Sequence, residues 1–162
     1  MMSYNIVDWE YAKEIGVPVS NIPAYSTNAV AQMVFAFILE LTNQTAVYTE
    51  DVKKGNWAKC EDFCYWNKPL YELDGKTLGI IGFGKIGSRV AEIGKVFGMK
   101  IVAYTPSGKK EGYNHIEFTD LDKVLTVSDY ISVHCPLTEN TAGLINKGFI
   151  SKMKKRFIKQ IL

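Results

Sequence analysis

The chain has 162 residues, 47% of them hydrophobic and 22% charged, with a net charge of +2. That length holds one domain with a sizeable core but not two complete ones, and the charge is too small to recruit nucleic acid or an anionic membrane. Three cysteines, Cys60, Cys64 and Cys135, make an odd count without C-x-x-C pairs. The expectation is therefore free thiols in a reducing, cytoplasmic setting, with no disulfide framework and no metal site.

A short helix is predicted near Asp8–Ile15, capped by Asp8 and stopped by Gly16. Val17-Pro18-Val19 reads as extended, since proline pushes its predecessor out of the helical region, and Asn21–Tyr25 as a loop. From a cap at Ser26, one long helix is expected to reach about Lys54 and to end at Gly55. Its apolar run, Ala29–Leu41, is broken by Gln32 and Glu40 and falls short of a membrane span. Being apolar almost all round, the first half of this helix needs cover on more than one side, which makes residues 26–54 the expected interface of a homodimer. Asn56–Leu73 is irregular and rich in aromatic residues (Trp57, Phe63, Tyr65, Trp66, Tyr71), the composition of an arm packed over another surface.

From Lys76 strands and helices alternate. Strand Thr77–Gly82 leads to helix Ile86–Phe97 and strand Lys100–Tyr104, followed by the loop Thr105–Asn114. A short extended piece, Ile116–Phe118, precedes helix Leu121–Val127, capped by Thr119 or Asp120. Strand Tyr130–His134 ends in Cys135-Pro136, and a last helix, Lys147–Lys154, is capped by Asn146. This alternation predicts an α/β fold with a parallel sheet and right-handed crossovers. Gly82-Phe83-Gly84-Lys85-Ile86-Gly87 falls between strand and helix, the context in which G-x-G-x-x-G is a dinucleotide fingerprint. Gly82 permits the tight turn, Gly84 lets the backbone approach a pyrophosphate, and Gly87 lets the helix sit close on the strand. The free N–H groups and positive end of that helix would hold the anion.

Four linked segments carry a resemblance: IPAYSTNAVAQ at Ile22–Gln32, ELDGKTLGIIGFGKIG at Glu72–Gly87, FGMKIVAY at Phe97–Tyr104, and SDYISVHCPLTENTAGLIN at Ser128–Asn146. In order and spacing the chain resembles the NAD(P)-dependent D-2-hydroxyacid dehydrogenases from about Tyr4 to Lys155. DFCYW at Asp62–Trp66 is most similar to the glycerate dehydrogenase or hydroxypyruvate reductase branch. The resemblance implies a partial doubly wound Rossmann sheet with a long N-terminal interface helix. Residues 1–25 would be a remnant of the substrate domain, and 26–75 the helix and aromatic arm leading into the nucleotide domain. Residues 76–155 would be the first half of that domain, and 156–162 an atypical tail.

The resemblance also implies the cofactor, NAD with NADP as the alternative, and its contacts. Gly82, Gly84 and Gly87 would shape the turn, and the backbone of Lys85 and Ile86 would cap the pyrophosphate. Cys135 and Pro136 would line the adenosine side, and Thr141 would add a further contact. Thr105 stands where the family carries an acid for the ribose hydroxyls. A threonine neither accepts both hydroxyls nor repels a 2′-phosphate, and Ser107, Lys109 and Lys110 follow it. In the family, a substrate-binding arginine and a glutamate-oriented catalytic histidine lie beyond the H-x-P-L-T segment, past Leu162. The expectation is thus a nucleotide-binding fragment of an oxidoreductase acting on a 2-hydroxy acid such as glycerate, inactive alone. The small 2-hydroxy or 2-keto acid would be a partner of the full-length family only, and the competing expectation is a non-catalytic nucleotide-binding or dimerisation module. His115 and His134 are assigned no acid–base role. In strand order 3-2-1-4-5-6, the fourth strand would come from the segment occupied here by Arg156–Leu162; if that tail does not pair, an edge is left open beside Thr77–Gly82, and the expectation is marginal stability or dependence on self-association.

Overall fold

A computed structural model of the chain describes residues 7–20, 22 and 24–154. Helix α1 (Trp9–Glu14) is capped by Asp8, whose carboxylate accepts the Tyr11 N–H at 2.9 Å, and Gly16 leaves the helix at φ 71°. Ser26 occupies the N-cap of α2 (Thr27–Asn43), but its side chain makes no capping bond. On α2, Ala31, Val34, Phe35, Ile38 and Thr42 are buried, a stripe at helical spacing. Its other side leaves Met33 and Phe37 about half exposed, at 53% and 47%.

The single long helix expected to Lys54 is two helices. Gln44 adopts the left-handed conformation (φ 51°, ψ 44°), and α3 (Thr45–Lys53) leaves at a 55° bend. Glu40 explains the break. Its carboxylate reaches across to accept the Thr45 hydroxyl and, at 3.3 Å, the Ala46 N–H, so the last turn of one helix caps the next. Neither glycine nor proline signals this. No single helix among the described residues is long and apolar enough to cross a membrane.

The aromatic arm is irregular, as expected, apart from one 3₁₀ turn at Trp57–Lys59. Asp51 of α3 holds it, accepting from Asn56 Nδ2 at 3.2 Å, from the Tyr65 hydroxyl at 3.2 Å and from Asn67 Nδ2. Tyr65 also meets Tyr48 edge-on at 6.4 Å. Trp57, Phe63 and Trp66 remain exposed.

The sheet comprises β1 (Thr77–Ile81), β2 (Lys100–Tyr104), β3 (Glu117–Phe118) and β4 (Tyr130–Val133), all parallel, in the order β3-β2-β1-β4. Helix α4 (Lys85–Val96) joins β1 to β2, and α5 (Leu121–Val127) joins β3 to β4. Asp120 caps α5 through the Lys123 N–H at 2.7 Å, and Asn146 caps α6 (Lys147–Lys152) through the Phe149 N–H at 3.0 Å.

This order corrects the expected open edge beside β1. The two-residue strand β3 fills the third position through Val102↔Glu117 and Ala103↔Phe118. Tyr130–Val133 is therefore the fourth strand, paired to β1 from Leu78↔Tyr130 to Ile81↔Val133. Both sides of β1 are covered, and among the described residues the sheet ends at β4. Arg156–Leu162, the segment assigned to the fourth strand, lies outside the described residues.

Apolar runs such as Leu78–Ile81 resolve into two faces because side chains alternate along a strand. Leu78, Ile80, Ile101, Ala103 and Tyr130 pack with α2 and α4. Ile81, Val102 and Ile131 pack with Val124 and Leu125 of α5 and Phe149 of α6. Helix α2 is locked onto α4 by Phe35 stacked on Phe97, ring centroids 5.3 Å apart. A Cβ on Gly94 would stand 2.9 Å from Ile101 and 3.0 Å from Leu78, so this glycine sets how closely α4 lies on the sheet.

Candidate dinucleotide-binding site

The turn after β1 begins at Gly82, which has φ 92° and donates its N–H to Tyr104 O at 2.8 Å. A Cβ here would fall 2.5 Å from Cys135 N and 2.7 Å from the carbonyl carbon of His134. Conformation and space both require glycine. At Gly87 the backbone is helical, but a Cβ would lie 2.3 Å from Gly82 O and 3.2 Å from Ile80. Gly84 is the opposite case: a Cβ there meets nothing within 4 Å. Of the three glycines, the first and third are blocked by the protein, and the second faces open space. That is the arrangement in which a ligand, rather than the fold, claims the room at the second glycine.

Gly84 is the N-cap of α4 in extended conformation, and no side chain caps the helix. The first-turn N–H groups of Lys85, Ile86 and Gly87 have no partner within the helix and carry its positive end. Lys85 is exposed, while Ile86 packs partly against the core, so the start of α4 is anchored by one residue and open at the other. Phe83, between the first two glycines, is buried and meets Tyr113 and Phe118 edge-on at 4.9 and 5.0 Å. This aromatic trio pins the turn to β3 and the loop before it. Sequence reasoning passed over Phe83, although a large aromatic between two turn glycines is itself a signal of an anchor.

Thr105 directly follows β2 and lies beside this turn, because Tyr104 pairs with Ile81 and accepts the Gly82 N–H. Its hydroxyl is 3.3 Å from that of Ser107, and its carbonyl accepts the Gly108 N–H at 3.0 Å. Lys109 is exposed and Lys110 half-buried on the same loop.

Across the turn, His134 and Cys135 directly follow β4. The His134 N–H donates to Ile81 O at 2.7 Å, and its Nε2 is 2.8 Å from the hydroxyl of Ser132, a fully buried residue. Burial pushes the imidazole down from 6.5 to about 4, so it is neutral at pH 7. Cys135 packs against the cluster beneath α5, and Pro136 is exposed. The Thr141 hydroxyl donates to Pro136 O at 2.6 Å and accepts the Thr138 N–H at 2.7 Å. It is occupied in tying the Pro136–Thr141 loop together. Gly82, Gly84, Lys85, Ile86, Gly87, Thr105, Cys135 and Pro136 thus gather at the C-terminal ends of β1, β2 and β4, with Thr141 bonded to the Pro136 carbonyl. His115 is exposed on the loop before β3 and 6.4 Å from the Tyr113 ring, on the approach to the opposite ends of the strands.

Residues 35–158 match the family model described as D-isomer specific 2-hydroxyacid dehydrogenase, NAD binding domain. The chain is 43% identical over 155 residues to a hydroxypyruvate reductase of Blautia hydrogenotrophica, covering 93% of this chain and 47% of that protein. It is 35% identical over 154 residues to a glycerate dehydrogenase of Methylorubrum extorquens, covering 95% and 47%. Among solved structures, the D-lactate dehydrogenase of Aquifex aeolicus in complex with NAD and lactic acid superimposes with a TM-score of 0.78 at 41% identity, covering 93% of this chain and 44% of that one. The chain spans about half the length of the curated relatives it matches. Blocked, open and blocked glycines at the end of a central parallel strand, together with this match, assign the chain to the D-isomer specific 2-hydroxyacid dehydrogenase family, as its NAD-binding domain.

Proposed function

We propose that this polypeptide holds the adenosine and pyrophosphate side of NAD at the Gly82–Gly87 turn. The observation that carries the reading is the open space at Gly84, bounded by two glycines that the fold itself fills. The backbone N–H groups of Lys85 and Ile86 hold the pyrophosphate, helped by the positive end of α4. Thr105 meets the adenosine ribose, and Cys135 and Pro136 border the adenosine. Thr141 serves through the loop it ties. When bound, the nicotinamide of NAD accepts or delivers a hydride.

The parent activity proposed is oxidation of a 2-hydroxy acid such as glycerate, or reduction of the matching 2-keto acid, in the full-length protein. The resemblance puts the substrate arginine and the catalytic histidine beyond His134-Cys135-Pro136-Leu137-Thr138, so residues 76–155 act as the first half of the nucleotide domain. The 162-residue polypeptide alone then binds nucleotide without turning over hydroxypyruvate or glyoxylate. NADP competes with NAD, because Thr105 offers no carboxylate to repel a 2′-phosphate and Lys109 and Lys110 stand on the same loop. The three free thiols suit a reducing cytoplasm.

Exposure of Met33 and Phe37 on the side of α2 turned from the core favours a second role, homodimerisation through residues 26–54. Thermal melts with NAD, NADP and ADP test the nucleotide reading: each is expected to raise the midpoint, and the absence of any shift at millimolar ligand would refute it. Sedimentation of the wild type beside Phe37→Glu tests the dimer, which the substitution should dissociate.

A further inference from the structure

We propose that His134 is a positioning residue for the dinucleotide crevice: by pairing with the buried Ser132 hydroxyl, its imidazole fixes the strand end against which Gly82 turns. Strand alternation puts Tyr130, Ser132 and His134 on one side of β4, toward α2 and α4, while Ile131, Val133 and Cys135 face α5 and α6. Ser132 is therefore a hydroxyl set into the apolar layer beneath α4, with no exposure to solvent. Leaving a buried hydroxyl unpaired costs stability, and here His134 Nε2, at 2.8 Å, pairs it. The same residue is pinned by its main chain, through the bond from its N–H to Ile81 O at 2.7 Å. Its carbonyl carbon and the next nitrogen are the atoms a Gly82 side chain would strike. Side chain, main chain and turn thus meet at one residue. The ring is directed back along its own strand to Ser132, which suits it to hold the wall of the crevice and not to exchange protons with a substrate.

A glutamine at this position keeps a nitrogen that reaches Ser132, whereas alanine leaves the hydroxyl unpaired. The test compares His134→Ala, His134→Gln, Ser132→Ala and the double alanine variant in the 162-residue chain. Two readouts are used: amide exchange at Gly82 and His134 without ligand, referenced to Leu78 in the core, and NAD affinity by calorimetry. The affinity readout rests on the nucleotide reading above, and the exchange readout does not. His134→Ala, which leaves the Ser132 hydroxyl unpaired, and Ser132→Ala, which leaves the imidazole nitrogen without its partner, should each speed exchange at Gly82 and His134 by about tenfold relative to Leu78, the scale expected for one lost buried hydrogen bond. Each should also weaken NAD by about tenfold. The double variant should be no worse than either single one, since all three lose one shared bond. His134→Gln should recover most of both losses.

Unchanged relative exchange in His134→Ala, additive losses in the double variant, or a His134→Gln no better than alanine would each overturn the proposal. If His134→Ala does not fold, Ser132→Ala and His134→Gln decide by the same criteria. If the wild type binds no NAD while exchange responds as described, the nucleotide reading fails and the positioning role stands.

Discussion

Gly82 and Cys135 are packed backbone to backbone: a Cβ on the glycine would lie 2.5 Å from the cysteine nitrogen. The turn after β1 and the end of β4 therefore form one rigid corner, and the crevice is built on it. Gly82→Ala combines a strained φ of 92° with this collision. It is expected to cost about 2–6 kcal/mol of stability, the sum of a left-handed non-glycine residue and an overpacked contact. Denaturant unfolding measures it, and a loss below about 1 kcal/mol, the scale of ordinary surface substitutions, would contradict the geometry.

His134 makes stability depend on pH. Its folded-state value, about 4, lies below the ordinary 6.5, so between these the unfolded chain binds a proton that the native chain excludes. Stability from this group is complete above pH 6.5 and is lost as the pH falls toward 4. The contribution is on the order of 2–3 kcal/mol. Because carboxylates titrate in the same window, the measurement is the difference between wild type and His134→Gln in urea midpoints from pH 7 to pH 4. The gap should narrow or reverse in the variant's favour as the pH falls.

The Thr141 hydroxyl donates to Pro136 O and accepts the Thr138 N–H within its own loop. Thr141→Val keeps the shape and removes both bonds. Amide exchange at Thr138 should accelerate by an amount equal to about 1–2 kcal/mol of local stability, with the global melt nearly unchanged.

On the proposed reading, Thr105 sets the choice between cofactors. Thr105→Asp supplies the carboxylate that binds ribose hydroxyls and repels a 2′-phosphate. The ratio of NAD to NADP affinity should rise by at least about tenfold, one charge–charge repulsion at short range. Paired calorimetric titrations check it, and an unchanged ratio would separate Thr105 from the ribose.

What the sequence made legible was local chemistry. Asp8 and Asn146 could be read as caps, and Asp120 as one of two candidates beside Thr119, because an N-cap needs only a side-chain oxygen and the next turn, and all three make that bond. Strand Lys100–Tyr104 and helix Leu121–Val127 have the bounds expected of them. Pairing was not legible in the same way. Strand β3 is two residues long, carries no periodicity and is defined by its register with Val102 and Ala103; Ile116–Phe118 reads from sequence as an extended piece but not as a strand of the sheet, which put Tyr130–Val133 at the wrong rank. The break at Gln44 depends on Glu40 reaching over the junction, a contact with no glycine or proline to announce it. The glycine spacing was plain in the sequence, but which glycine is open and which two are blocked emerges only when β1, α4 and β4 are assembled.

Gly84 is the position where the fold leaves room that a dinucleotide would fill. Gly84→Val places a branched side chain in extended backbone (φ −91°, ψ −160°) with nothing of the protein within 4 Å of its Cβ, so the fold should be kept. Calorimetric titration of NAD into wild type and Gly84→Val is the most direct measurement. The account predicts saturable binding to the wild type and at least about a tenfold loss in a variant that melts like the wild type. Equal affinity in the two chains would contradict it.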